Sequence, residues 1–292
     1  MLRISSSIWS HHSITTGKKY PLKDVLSSMP VEIATFRELV RAVAEISYHN
    51  PEQVLFYRGQ ANQYWKNTED GQRINSFYPS IYRLPGRSLT ENALEERYRT
   101  LQQQSDALLK RLKEEGIRGH DKLAKFSELT WAILQHYEVC PTPFLDVTHS
   151  LRVAASFALN DAEDAGYLYI FGFPHPNGSI TYSVEHEIIN IRLLSICPPE
   201  AQRPYFQEGF LVGTFPSKRL RKHPSLDTGV RLIAKFKLVA KAFWDENFHA
   251  IPTEALYPGD DRIKEICSQL KTTSENDPTI ALTRTRRKRR AG

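Results

Sequence analysis

Apolar residues fall at helical intervals early in the chain and at alternating or continuous intervals later. Thr35 and Glu38 stand at capping-box spacing. Phe36, Leu39, Val40, Val43 and Ile46 follow at i, i+3, i+4 intervals, which predicts a helix from Thr35 that Asn50-Pro51 ends. The run Val54-Leu55-Phe56-Tyr57 reads as a buried strand that delivers Arg58 at its end. Residues 61–89 are polar and loop-like. Leu94, Tyr98, Leu101, Leu108 and Leu112 share one side of a helix from about Glu91, and a second helix is predicted over 123–137. Pro141 and Pro143 force an extended loop through Asp146. Ser150 can cap a helix from Leu151 to Leu159, whose Ala154, Ala155 and Ala158 allow close packing. From Gly166 onward the pattern turns to strands, with Tyr167–Phe173, Ile188–Ile196, Gly209–Phe215 and Val230–Leu238 the best candidates. In the last, Val230, Leu232, Ala234, Phe236 and Leu238 take one face, with Arg231, Lys235 and Lys237 on the other. A final helix fits 261–270. Helices lead and strands follow. The pattern therefore predicts an α+β single domain with N-terminal helices and a C-terminal mainly antiparallel sheet.

Composition narrows the class. In 292 residues, 40% hydrophobic and 11% aromatic content exclude a disordered protein. There is no apolar run of about 18 residues, so no membrane span or membrane partner is expected. Residues 1–30 read as a poorly ordered leader, and MLRISSSIWSHHS lacks the apolar core of a secretory signal. Cys140, Cys197 and Cys267 lie far apart and form no CxxC, so neither a disulfide framework nor a metal site is expected, and the compartment reads as cytoplasmic. The net charge of +6 equals the six positive charges of Arg284, Arg286, Arg287, Lys288, Arg289 and Arg290. Residues 1–283 are thus neutral overall, and 271–292 read as a disordered basic tail. Weak nucleic-acid contact would run through that tail.

The chain carries no GxGxxG, GxxxxGK[ST], HExxH or GxSxG motif. Four stretches carry candidate chemistry instead. Arg58, after four apolar residues, must reach solvent, pair with a carboxylate or grip an anion, and Gly59 lets a ligand or another backbone come close. His136, in Gln135-His136-Tyr137, could bond a ribose hydroxyl, act as an acid or base, or be a satisfied core group. The proline-stiffened loop 141–150 presents Asp146, Thr148, His149 and Ser150, of which capping explains at least one. Segment 202–210 sets Gln207 and Glu208 before a strand, where a carboxylate could stabilise a developing cation or simply face solvent.

Together these stretches resemble the FRG domain family, named for its Phe-Arg-Gly strand, which here reads Phe56-Tyr57-Arg58-Gly59-Gln60. The family pattern continues in Pro79-Ser80-Ile81-Tyr82-Arg83, in Trp131 to Tyr137, and in Pro141 to Thr148. The small-residue helix after Ser150, the strand at Gly166-Tyr167-Leu168-Tyr169-Ile170, and the spacing of Arg203, Gln207, Gly209 and Phe210 follow it too. The resemblance covers about 33–270, and 31–270 is expected to be the domain. Glu138 stands where the family has Gly, Pro143 where it has Arg, and Val147 where it has Trp.

The layout is also similar to the ADP-ribosyltransferase superfamily. That resemblance implies an ADP-ribosyltransferase-like fold and an NAD substrate. Arg58 and Gly59 would then meet the NAD phosphates or ribose, and His136, Tyr137, Asp146, Thr148, Ser150 and Arg203 would line the pocket. Gln207 or Glu208 would take the catalytic carboxylate's place beside Arg58. An amide at that place could not act as a base. The implied activity is ADP-ribosyl transfer to a macromolecule, or NAD glycohydrolysis, in a bacterial toxin or phage-defence effector. The rival expectation is a non-catalytic nucleotide- or partner-binding module, which Pro143 and Gln207 favour.

Overall fold

A computed structural model describes residues 1–4, 8–83 and 89–276. Ten strands lie among them: β1 (Val31–Ile33), β2 (Val54–Gln60), β3 (Trp65–Asn67), β4 (Arg73–Asn75), β5 (Phe144–Thr148), β6 (Ala165–Phe173), β7 (Ile180–Ser183), β8 (Ile188–Arg192), β9 (Gly209–Thr214) and β10 (Leu232–Val239). Eight form one sheet in the order β1-β10-β6-β2-β5-β9-β8-β7, and β3 pairs with β4. Every pair of the large sheet is antiparallel except β1 with β10. The longer helices are α1 (His11–Thr16), α2 (Leu22–Ser27), α3 (Phe36–His49), α4 (Glu91–Glu114), α6 (Ser127–His136), α7 (Leu151–Leu159) and α11 (Arg262–Asn276). Single turns make up α5 (His120–Leu123), α8 (Leu193–Ile196), α9 (Arg203–Phe206) and α10 (Thr253–Leu256). The chain is thus a mixed α and β structure built on one large, mostly antiparallel sheet.

Both faces of the sheet are covered. On one, α3 and α7 pack on β6, β2 and β10 through Leu39, Ile46, Ala154, Ala158, Leu55 and Ile170. On the same side α4, α6 and α11 cover β5, β8 and β9 through Leu101, Leu108, Ile133, Phe144, Ile191, Leu211 and Ile266. The opposite face carries Phe56, Leu145, Val147, Tyr169 and Phe171 under α2, Ile74 and Phe77. This double cover explains why β10 departs from simple alternation. Arg231 and Lys235, on its charged face, are 2% and 3% exposed. Lys235 Nζ donates to the Leu26 carbonyl and to Asn75 Oδ1, and Arg231 donates to the Gly172 carbonyl and Gln53, so each buried charge keeps its hydrogen bonds.

The order of helices before strands does not hold. Phe144–Thr148, read as an extended loop, is the central strand β5, and β2 lies beside it. Leu145 and Val147 do alternate with Asp146 and Thr148, but the run is short and follows Pro141 and Pro143, whose fixed φ reads as loop. Residues 61–89, read as a loop, contain the β3–β4 hairpin. The leader over 1–30 also differs: Met1 and Ile4 are buried, and α1 and α2 pack against α3, β4 and β10. Of the disordered tail expected over 271–292, residues 271–276 instead continue α11, and the remainder lies outside the described residues.

Two features of the sheet set the shape of the cleft beside β2. The first is a seam. β2 pairs with β6 over seven residues, yet meets β5 at a single pair, Tyr57 with Thr148. The sheet is therefore two four-stranded halves that part beyond Tyr57. The second is the seat of α7. A Cβ at Gly59 would lie 1.8 Å from the Ala154 carbonyl oxygen, and one at Gly166 would lie 2.0 Å from that of Ala158. Strand backbone and helix backbone touch there, and glycine is what permits it.

Candidate functional site

The parting of β2 and β5 opens a cavity of about 230 Å³. Arg58 takes up the lost ladder: its Nη1 donates to the Asp146 carbonyl at 2.7 Å. That is its one hydrogen bond to the described residues, and its buried Nε has no partner there. Burial lowers the guanidinium pKa, opposed by the charge of Asp146.

The Asp146 side chain points toward α6. Its Oδ2 accepts from Gln135 Nε2 at 2.7 Å and its Oδ1 lies 3.2 Å from His136 Nδ1. Burial opposes its charge, but the His136 hydrogen bond and charge, Arg58 and Gln135 together bring the carboxyl pKa down to about 2. An ionised carboxylate only accepts, so Nδ1 of His136 carries the hydrogen and Nε2 is a bare acceptor. His136 is 2% exposed, and burial lowers its pKa below the usual value. Its Nε2 is buried with no partner among the described residues.

Gln135 is fixed in turn. Its Oε1 accepts from Thr142 Oγ1 and, at 3.5 Å, from Ser80 Oγ. Ser80 Oγ also accepts the Thr142 N–H at 3.0 Å. Ser80, Gln135 and Thr142 thus lock Asp146 in place, which joins the distant Ser80 stretch to the end of α6 and to β5.

Arg203, from α9, lines the same cavity. Its guanidinium lies 4.7 Å from the Tyr257 ring centre and 5.8 Å from that of Tyr137, and it pairs with exposed Glu138 at 3.0 Å. Its Nε is buried without a partner among the described residues. Below it, buried Asp261 accepts from Tyr137 Oη and from the N–H groups of Gln202 and Arg203 through one oxygen, and caps α11 through the other. Glu138 ends α6 with φ at 57°, the left-handed region in which glycine is at ease.

Of the expected site residues, Arg58, Gly59, His136, Asp146, Thr148, Arg203 and Gln207 line this cavity. Three do not. Tyr137 bonds Asp261 instead, and Ser150 caps α7 by accepting from the Val153 N–H. Glu208 lines a second pocket with His149, Arg192 and Phe210. Gln207 is buried, and its Nε2 is committed to the Leu256 carbonyl at 2.8 Å. Gln135, Asp261 and Tyr257 go unmarked by residue chemistry; only the Asp261-to-Lys264 cap spacing could have flagged the second.

The locked contacts fall on the stretches Arg58-Gly59, Pro79–Arg83, Gln135–Tyr137 and Pro141–Thr148. Residues 53–166 match the FRG domain. No curated protein and no solved structure matches the chain. The FRG match holds β2, β5, α6 and α7, and hence Arg58, His136 and Asp146; Arg203 and Gln207 come from the chain beyond it. Among the described residues, no helix is long and apolar enough to cross a membrane, and no cluster of His, Cys, Asp and Glu could hold a metal.

Proposed function

We propose that the cleft between β2 and β5 binds a nucleotide by its phosphate groups, with NAD the first candidate. The observation that carries this is the pair of arginines that line the cleft. Arg58 and Arg203 each hold a buried Nε, unpartnered among the described residues, beside one cavity. A guanidinium in such a place gains most from an anion that accepts a forked pair of hydrogen bonds. About 230 Å³ takes a phosphate and its sugar, and the remainder of a dinucleotide would run over the rim at Glu138 and Tyr257. The tyrosine offers a ring for stacking.

The residues fit a phosphate better than they fit ADP-ribosyl transfer through Gln207 or Glu208. Gln207 is an amide held by a carbonyl, and Glu208 lines another pocket. This favours a nucleotide-binding module over a transferase that relies on those two residues. Calorimetric titration with NAD, ADP-ribose and ATP tests the reading. Saturable binding that Arg58→Ala and Arg203→Ala each weaken at least tenfold, with melting unchanged within a few degrees, is the expected result. Binding that ignores both substitutions overturns it.

A further inference from the structure

One group in the cleft has no structural partner to explain it. His136 is buried and its Nδ1 is committed to Asp146, yet Nε2 meets nothing among the described residues. Gly209 backs the ring on its Nδ1 side: a Cβ there would lie 2.8 Å from Leu193 Cδ1 and 3.4 Å from His136 Cε1. Asp146 is itself held by Gln135, which Thr142 and Ser80 hold. A chain of four fixed partners orients one imidazole whose free nitrogen belongs to a cavity-lining residue. Burial lowers the pKa of the ring; Asp146 and Asp261 raise it, and Arg203 lowers it further. The net effect keeps the ring neutral near pH 7, in the form that accepts a proton.

We propose that His136, positioned by Asp146, is a general base that takes the proton from a water attacking the ribosyl carbon of a bound pyridine nucleotide. This rests on the nucleotide-binding reading above. The water oxygen forms the new bond to C1′ and gives its proton to Nε2. The C1′–N bond breaks and its electron pair goes to the pyridinium nitrogen, which leaves neutral. Nicotinamide and ADP-ribose result, and the imidazolium returns its proton to solvent. The Asp146 carboxylate stabilises that imidazolium. The choice of substrate follows from what the cavity lacks. A cationic leaving group needs a base and no acid, and the carboxyls lining the cavity are Asp146, held ionised, and Glu138, paired with Arg203.

The test pairs NAD calorimetry with chromatographic assay of nicotinamide release by the full chain. His136→Gln is expected to keep NAD affinity within about threefold and to lower turnover by about a hundredfold or more. His136→Asn serves as a second variant if the first melts early. Asp146→Asn is expected to lower turnover and move the acid limb of the pH profile to lower pH, because the lost carboxylate had raised the affinity of the ring for a proton. A merely structural aspartate would leave that limb in place. Wild-type turnover in both histidine variants, or an unmoved acid limb, overturns the proposal. NAD bound by the wild type without nicotinamide release overturns it too, and leaves the binding reading standing. A wild-type chain that binds no NAD refutes the binding reading first and this one with it.

Discussion

Replacing Gly59 by alanine separates two reasons for a glycine after Arg58. The added methyl carbon would lie 1.8 Å from the Ala154 oxygen and 2.7 Å from the Ala158 nitrogen. Contacts below 3.0 Å are not found for real Cβ atoms, so α7 and β2 must separate by about 1.2 Å. Neither partner is a side chain that can turn away. β2 is held to β6 over seven residues, and Gly166 blocks the same helix from β6. Ordinary overpacking costs about 1–3 kcal/mol, and a backbone collision in a seat closed on both sides belongs at or above the top of that range. The expected loss is about 3 kcal/mol, which lowers the melting temperature of a chain this size by about 5 °C. Urea unfolding followed by circular dichroism measures the first quantity, and calorimetry the second. A variant within 1 kcal/mol of wild type would refute the packing argument. If that stable variant had also lost NAD binding, the glycine would serve the ligand instead.

Two further outcomes come from backbone strain and from titration. Glu138→Gly relieves a left-handed residue that costs roughly 1–2 kcal/mol and gives up an exposed pair with Arg203 worth about 0–1 kcal/mol. Net stabilisation of about 0.5–1 kcal/mol and tighter NAD binding by the freed arginine are expected from melting and titration curves. His149 sits 4.0 and 4.3 Å from the ring centres of Phe56 and Phe210, and burial, helped by Arg192, lowers its pKa to about 4. Between its usual 6.5 and about 4 the unfolded chain binds a proton that the folded chain does not, so stability falls as pH drops through that window. His149→Phe should flatten the fall, and equal slopes in the two proteins would count against it.

The parts of the fold that sequence makes visible are those where one local rule decides. Thr35 caps α3 by accepting from Glu38, and Ser150 caps α7 over the predicted Leu151–Leu159. Leu94, Tyr98, Leu101, Leu108 and Leu112 all face the core from α4. What stayed hidden needed a partner. Phe144–Thr148 becomes a strand because β9 runs beside it, and Lys235 is buried because Leu26 and Asn75, distant in sequence, meet its ammonium. The site divides in the same way. Arg58, His136 and Asp146 stood out by chemistry and Arg203 by the resemblance, and all four line one cavity. Gln207 and Glu208 are adjacent in the chain, but a turn with Glu208 at φ 45° sends them to different pockets. Only the folded turn separates neighbours so alike in character.

The seam at Tyr57 and Thr148 also bears on where this protein can be cut. The segment that matches the FRG domain ends at residue 166, just inside β6, and so carries β2 and β5 on either side of the cleft while leaving β9 and most of β6 behind. Without β9 the whole of β5 becomes an open edge, and without the rest of β6 the outer side of β2 has no neighbour. Such edges recruit other chains. A fragment trimmed to 53–166 is therefore expected to aggregate on expression, whereas one that runs from β1 through α11 keeps every strand paired as in the full sheet. For this chain the length that can fold as a unit is set by hydrogen-bond partners, and it is longer than the stretch that matches the FRG domain.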